Sequence, residues 1–232
     1  MPQVVNCHTF GGPNNLPEGI VYIGRPGPHG NPYSSKSGKY FREECIAYHR
    51  VDLYKSLIED KSLFNKLKDE LYNHDLGCWC KQPKRLVGCH GDNFLHIFSP
   101  DFINRSYDKS VVAYVMEDLR HALDLLRLTV KKQVWSSPFV NLDISEEEIR
   151  LELNVVIDII KKRKLPSEDA ARILATLAVE CELASQEADP VYINYRIDRI
   201  FWVIHRFVDK RENRDGEPTS PHLKLKKKRS KD

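Results

Sequence analysis

Long apolar segments are missing from this sequence of 232 residues. The longest strongly apolar run, residues 200–204, is far shorter than the roughly 20 residues that a membrane-spanning helix needs. The sequence begins Met1-Pro2-Gln3 and lacks there the basic and then apolar pattern of a secretion signal. We therefore expect an intracellular protein with no membrane partner.

A broad excess of positive charge is also missing, although the formal net charge is +3. Residues 222–232 hold six Lys or Arg against one Asp, a net charge of +5, so the remaining residues carry 30 basic against 32 acidic side chains. This distribution excludes a globally basic nucleic-acid platform and confines the positive charge to a tail. The tail could contact nucleic acid or act as a nuclear localisation signal in a eukaryotic host, or it could be a solvated end without function.

Glycine is absent between Asp108 and Gly216, whereas glycine and proline are frequent near the start of the chain. This contrast predicts an α/β domain over residues 1–104, a four-helix region over 105–212 and a disordered basic tail over 213–232. Apolar residues recur at helical spacing in the second region, where we predict helices over about 111–130, 145–164, 166–188 and 190–207. Helices of this kind can pack as a bundle, and the bundle could bind a protein partner.

The first region mixes short β-prone runs with helical patterns. We predict strands at residues 3–6, 19–23 and 76–80, and helices at 41–57, 62–73 and 90–98. Alternation of this kind favours a largely parallel sheet. The fold class is therefore α/β, with a small Rossmann-like N-terminal domain followed by an all-α helical bundle. His49 and Arg50, in the middle of the first long helix, are expected at the solvent or at the sheet edge.

Cysteines are the most informative residues present. Without a secretion signal the six thiols should stay mostly reduced, which favours metal binding or catalysis over disulfides. Cys78 and Cys80 flank Trp79, and alternate residues of a strand share a face, so both sulfurs should point the same way. A short loop can then return Cys89 and His90 to that face. Thiolate and imidazole are zinc ligands, so Cys78, Cys80, Cys89 and His90 form a candidate zinc site, although the C-x-C and C-H spacings are unusual.

Two other interpretations of these residues stay open. Cys89 precedes a predicted helix, whose N-terminus could stabilise a reactive thiolate, with His90 or Asp92 moving a proton. Alternatively, the cysteines pack as small apolar side chains and Asp92 caps the helix. Cys7 or His8, which follow the first strand, could also complete a metal site.

A loop rich in glycine and proline follows the second strand, where α/β sheets usually place their ligands. Gly24 and Gly30 would let the backbone approach a ligand, Arg25 could hold a phosphate or carboxylate, and Asn31 could hold an amide. The pattern is neither a Walker loop nor a dinucleotide fingerprint. A stiff turn with a surface arginine would explain it equally well.

Several motifs in order resemble the domain of unknown function 4326, over about residues 3–98. They are Val4-Val5-Asn6, Tyr22-Ile23-Gly24-Arg25, Gly30-Asn31-Pro32-Tyr33, Cys45-Ile46-Ala47-Tyr48, Gly77-Cys78-Trp79-Cys80 and Cys89-His90-Gly91-Asp92. The family is frequent in bacteriophage and bacterial genomes. The resemblance implies a compact α/β domain whose Gly-Asn-Pro loop and Cys-His motif share a site, and it brings no established reaction. The loop between Cys80 and Cys89 is longer here than the family pattern.

We consider two functions on these grounds. The first is an enzyme of viral or mobile-element type that acts on a nucleotide, a nucleobase or a nucleic-acid-linked substrate, located in the host cytoplasm, or in the nucleus of a eukaryotic host. Arg25 and Asn31 would hold the substrate, and Cys89, His90 and Asp92 would be catalytic. The second is a non-catalytic, zinc-stabilised module that binds protein or nucleic acid. Structural cysteines predict a loss of stability on substitution, whereas a catalytic cysteine predicts a loss of function alone.

Overall fold

The computed structural model describes residues 2–81, 87–104, 110–136 and 167–209, together with the single helical positions 154 and 158. The strands are β1 (Val4–Asn6), β2 (Ile20–Tyr22) and β3 (Asp75–Cys78). The helices are α1 (Arg42–Glu59), α2 (Leu63–Leu71), α3 (Gly91–Ile97), α4 (Pro100–Ile103), α5 (Val111–Ser136), α6 (Ser167–Gln186) and α7 (Pro190–Asp209). Most of the predicted second bundle helix, and the whole predicted tail, lie outside the described residues. No helix within the described part is long and apolar enough to cross a membrane.

The three strands form one small parallel sheet in the order β1-β3-β2. The central strand pairs with both neighbours, so that Leu76 lies opposite Val4 on one side and Val21 on the other. Because β3 is central, Leu76 and Cys78 are buried, whereas the edge strands are only half-buried. The prediction of a mixed α/β region with a parallel sheet is confirmed, and the strand and helix positions agree to within a few residues.

Helix α1 connects the sheet region to the helical half. One hydrophobic cluster contains Val51 and Leu57 of α1 together with Leu174 and Ala178 of α6. Alanines recur along the buried face of α6, and their small side chains let α1 and α5 approach it closely. The apolar stripes predicted for α5 and α7 face this same core. The helical half is therefore packed on α1 through a continuous core.

Of the two places expected for His49 and Arg50, the solvent or the sheet edge, the solvent is wrong, because both residues are buried. Arg50 is only 1% exposed, and its two terminal nitrogens each lie 2.7 Å from an oxygen of Glu182 on α6. A charged side chain can be buried at a helix-helix contact when an opposite charge and full hydrogen bonding accompany it. Arg50 therefore belongs to the contact between α1 and the helical half, whereas His49 packs against His90 and Phe94.

Candidate metal centre

Four predicted ligands come together where β3 ends and α3 begins. The sulfurs of Cys78, Cys80 and Cys89 and a ring nitrogen of His90 all lie within 4.8 Å of one another. Nδ1 of His90 is 3.8 Å from Sγ of Cys78 and 3.9 Å from Sγ of Cys89. Ligands of a tetrahedral zinc ion, with bonds of about 2.0 to 2.3 Å, are separated by roughly 3.6 to 3.8 Å. The two distances at His90 fit a tetrahedral zinc ion, and the four groups together could hold a metal ion, which is one of the arrangements that the sequence predicts.

Backbone groups support the sulfurs. The N–H of Cys80 donates to Sγ of Cys78 at 3.4 Å, and the N–H of Gly91 donates to Sγ of Cys89 at 3.3 Å. Backbone donors of this kind favour the thiolate, which is the form that binds a metal. Turns at the end of β3 and the start of α3 thus orient two sulfurs towards the same point.

The proton on Nε2 of His90 is fixed by a contact with Ile23, the residue that follows β2. Nε2 of His90 lies 2.8 Å from the backbone oxygen of Ile23, which can only accept a hydrogen bond. Nε2 therefore carries a proton, and Nδ1, which faces the cysteines, is the nitrogen that would bind a metal once it has lost its own proton. Histidines that bind metals usually donate a hydrogen bond from their second ring nitrogen in this way. The adjacent residues Cys89 and His90 can both face the cluster because the chain turns into α3 between them.

Crowding of the thiols shifts their acidity in opposite directions. Contacts with Cys78 and Cys89 lower the pKa of the Cys80 thiol, and contacts with Cys78 and Cys80 raise the pKa of the Cys89 thiol. Burial opposes the charged form of His90, but contacts with Cys78 and Cys80 outweigh it and raise its pKa to about 10. Three thiolates in this space need positive charge beside them, which a divalent cation would supply.

Asp92 braces the turn and does not touch a sulfur among the described contacts. Its carboxylate accepts from the N–H of Cys89 at 2.9 Å and pairs with Nζ of Lys81 at 3.0 Å. The carboxylate therefore holds the backbone that presents Cys89.

A cleft of about 990 Å³ opens in front of the cluster, and Cys78, Cys80 and His90 form part of its wall. The cleft also contains the side chains of Arg25, Lys36, Arg42, Tyr33 and Trp79. None of its described lining residues carries a carboxylate. The electrostatic character of the cleft is therefore positive, which favours an anionic ligand.

The glycine-rich loop contributes to this cleft unevenly. Gly24, Arg25 and Asn31 line it, whereas Gly30 lies in the wall of a different cavity. Asn31 is buried, and its amide donates to the oxygen of Cys45 at 2.9 Å and accepts from the N–H of Tyr33 at 2.9 Å. Arg25 is exposed and has no ion-pair partner within the described part of the chain. Of these residues, Arg25 has the chemistry and exposure to meet a ligand, and Asn31 holds the loop.

Cys7 and His8 do not join the metal cluster. Cys7 is fully buried, with Sγ 3.2 Å from the position that a side-chain carbon on Gly77 would occupy. Burial, with a smaller contribution from Cys78, raises the pKa of Cys7 to about 11. His8 instead lies against Trp79, with 6.0 Å between the ring centres. Cys7 therefore packs behind the sheet as a small apolar side chain.

Arg42 is a site residue that the sequence analysis missed. Its Nη2 donates to the oxygen of Cys80 at 2.8 Å, and its Nε donates to the oxygen of Gly88 at 3.2 Å. The side chain therefore connects both ends of the loop between the two cysteine motifs. The signal in the sequence is its position at the start of α1. A cation in the first turn of a helix is unfavourable for the helix dipole, which indicates that the side chain makes a compensating contact elsewhere.

Comparison with family models gives a match in the first region. Residues 5–99 match the family model of the Domain of unknown function (DUF4326), so the resemblance given by the motifs is confirmed over this segment. Neither the curated proteins nor the solved structures give a match to the chain.

Proposed function

We propose that this protein is a zinc-stabilised module whose basic cleft binds a phosphate-bearing ligand of nucleotide type. The carrying observation is that the Cys-Cys-Cys-His cluster forms one wall of a cleft with three cationic side chains and no carboxylate among its described lining residues. Zinc would be held by Cys78, Cys80, Cys89 and His90, where it would stabilise the thiolates and fix the turn into α3. The carboxyl ends of β2 and β3 face this cleft, which also supports a Rossmann-like fold for the small sheet.

The number of ligands favours a structural ion. Four protein ligands complete a tetrahedral zinc shell, whereas catalytic zinc keeps one position for water or substrate. Cys89 is fully buried, so a role as metal ligand suits it better than a role as nucleophile. The contacts of Asp92 with the N–H of Cys89 and with Lys81 leave its carboxylate engaged in holding the turn.

The ligand is inferred from the charges that remain available. Arg25 and Lys36 are exposed at the cleft, and neither side chain is in an ion pair within the described residues. A guanidinium and an ammonium that face one cavity suit a phosphate. Tyr33 and Trp79 offer ring faces on which a base could stack.

Titration of the zinc-loaded protein with AMP and with inorganic phosphate tests this function. Binding is followed by tryptophan fluorescence, to which Trp79 in the cleft wall contributes, and is checked by calorimetry, which needs no fluorophore. Arg25→Ala and Lys36→Ala should each weaken AMP binding by about tenfold, since a hydrogen bond to a charged group contributes about 1.5 kcal/mol or more. Lys55→Ala, which removes an exposed charge on α1 away from the cleft, should leave binding unchanged. Equal AMP affinity in all four proteins would contradict the proposal.

An enzyme that acts on a nucleotide, nucleobase or nucleic-acid-linked substrate is the second candidate. Its support is that Cys80 lines the cleft and is the one partly exposed thiol of the cluster. Alkylation separates the two functions. A structural zinc should protect all cluster thiols from iodoacetamide until a chelator is added. An enzymatic thiol should react at Cys80 in the zinc-loaded protein, and Cys80→Ser should then lose activity without losing stability.

A further inference from the structure

A second cavity, of about 550 Å³, lies among the loop at residues 28–32 and helices α1, α2 and α3. None of its described lining residues lines the basic cleft, so the two are separate spaces. Its volume lies within the range of small-molecule sites. The question is which chemical groups it offers to a ligand.

His49 lines this cavity. A buried chain of hydrogen bonds from Arg50 through Asn93 to His49, here called the relay, holds the ring in one tautomer. Nε of Arg50, which can only donate, lies 3.0 Å from Oδ1 of Asn93 and so fixes the orientation of that amide. Nδ2 of Asn93 then donates to the oxygen of Ile46 at 2.9 Å and to Nδ1 of His49 at 3.0 Å. Nδ1 of His49 therefore accepts a hydrogen bond, and the neutral ring carries its proton on Nε2.

The Nε2–H group of His49 has no hydrogen-bond acceptor among the residues that the structure describes. The ring is only 8% exposed, yet no described residue accepts a hydrogen bond from Nε2. Nε2 is not fully sealed inside the protein, and His49 lines the cavity, so this nitrogen is accessible from the cavity. A buried donor of fixed orientation, supported by a charged relay, is a costly arrangement unless something accepts from it.

The other walls of the cavity select an uncharged ligand. The charged groups there already have partners. His29 pairs with Glu70 at 3.0 Å, Lys66 pairs with Asp60 at 3.3 Å, and Asp52 accepts from a tyrosine hydroxyl at 2.8 Å. The remaining surface includes the ring of Phe94 and the flat side chains of Pro28 and Pro32. Flat apolar walls with one hydrogen-bond donor suit a planar ring that presents an acceptor.

We propose that this cavity is a second ligand site, which binds an uncharged planar heterocycle of nucleobase type through a hydrogen bond from Nε2 of His49. None of the described residues that line this site is a member of the metal cluster or lines the basic cleft. It differs from the cleft in charge, and so it takes the ring of a ligand without requiring a phosphate.

Titration of the full chain with adenosine and with uridine, followed by saturation-transfer NMR, tests the second site. Ser56→Phe fills the cavity from its half-exposed side and leaves the relay untouched. His49→Phe keeps a ring but removes the donor. Each variant should weaken nucleoside binding by about tenfold or more, the effect of one or two lost contacts. His121→Phe, at an exposed position on α5, is the matched control and should bind as the wild type does.

The outcomes separate this site from the basic cleft. Ser56→Phe should leave the binding of inorganic phosphate unchanged, and Arg25→Ala should leave the binding of adenosine unchanged. Wild-type protein that binds neither nucleoside at millimolar concentration would overturn the second site, as would equal nucleoside affinity in Ser56→Phe. The Ser56→Phe result decides the question even if His49→Phe fails to fold, because Ser56 makes no contact in the relay.

Discussion

Arg50 of α1 and Glu182 of α6 form a two-point ion pair, with both nitrogen-oxygen distances at 2.7 Å. The guanidinium also lies 3.7 Å from the buried carboxylate of Asp118 on α5, and its Nε bonds to Asn93 on α3. One side chain therefore connects four helices. Its position ties the helical half to the layer that carries the metal cluster.

Replacement of this arginine should destabilise the protein strongly. Arg50→Met removes the cation that pairs with Glu182 and lies near the buried carboxylate of Asp118, which keeps its contact with His96. Breaking a buried pair in this way costs about 3 to 5 kcal/mol. Glu182→Gln keeps one acceptor for Arg50 on a more exposed side chain and should cost less. Urea unfolding of the two variants beside the wild type measures both effects. If the free energy of unfolding of Arg50→Met lay within about 1 kcal/mol of the wild-type value, the network would contribute little to stability.

Gly91 is required at the start of α3 by close packing on the sheet. A Cβ at this position would lie 2.7 Å from Cδ1 of Ile23 and 2.8 Å from a methyl group of Val4. Gly91→Ala should therefore cost about 1 to 3 kcal/mol through overpacking. It should also weaken metal binding, because the N–H of Gly91 supports Cys89. The added change Ile23→Val removes the nearest methyl group and should recover part of the loss in thermal unfolding. No recovery in the double variant would place the cause elsewhere.

Glu180 gives the protein a specific pH dependence. Burial, followed by the nearby charge of Glu43, raises the pKa of Glu180 to about 7 from its ordinary 4.5, against the opposing effect of Arg199 and Arg196. Between these two values the folded state binds the extra proton, so this group reduces stability as the pH rises. The free energy of unfolding of Glu180→Gln, relative to that of the wild type, should therefore increase by about 3 kcal/mol as the pH rises across this window. The reason is that one pKa unit corresponds to about 1.4 kcal/mol.

The difference between the two proteins is the proper measure. Burial lowers the pKa of His49 to about 3, so its contribution to stability rises with pH over part of the same range. That contribution is present in both proteins and cancels. Chemical unfolding at closely spaced pH values gives the difference curve. A flat curve would contradict the raised pKa of Glu180.

Local pattern was sufficient for the metal cluster and for the sheet. Alternation along a strand predicted that Cys78 and Cys80 would point the same way. Both sulfurs do reach the cluster, although β3 ends at Cys78 and Cys80 lies beyond it. A short connection then returns Cys89 and His90 to the same place. The strand and helix positions followed from periodicity and from glycine and proline. These inferences depend on residues close together in the sequence.

Long-range partners were not accessible in the same way. The burial of Arg50 depends on Glu182, which is 132 positions away. Arg42 acts on backbone groups 38 and 46 positions later, and Asn31 turns inward to the backbone of Cys45. A single sequence does not reveal which distant elements meet, so the expectation of solvent exposure for Arg50 followed average behaviour and was wrong.

Metal content is the measurement that tests the central claim most directly. Elemental mass spectrometry of the purified protein, with X-ray absorption at the zinc edge, should give about one zinc per chain with three sulfur ligands and one nitrogen ligand. Cys89→Ser and His90→Ala should each lower the zinc content, while Cys181→Ser, which changes a buried cysteine outside the cluster, should retain it. Protein without zinc, or zinc that persists in both Cys89→Ser and His90→Ala, would contradict the account.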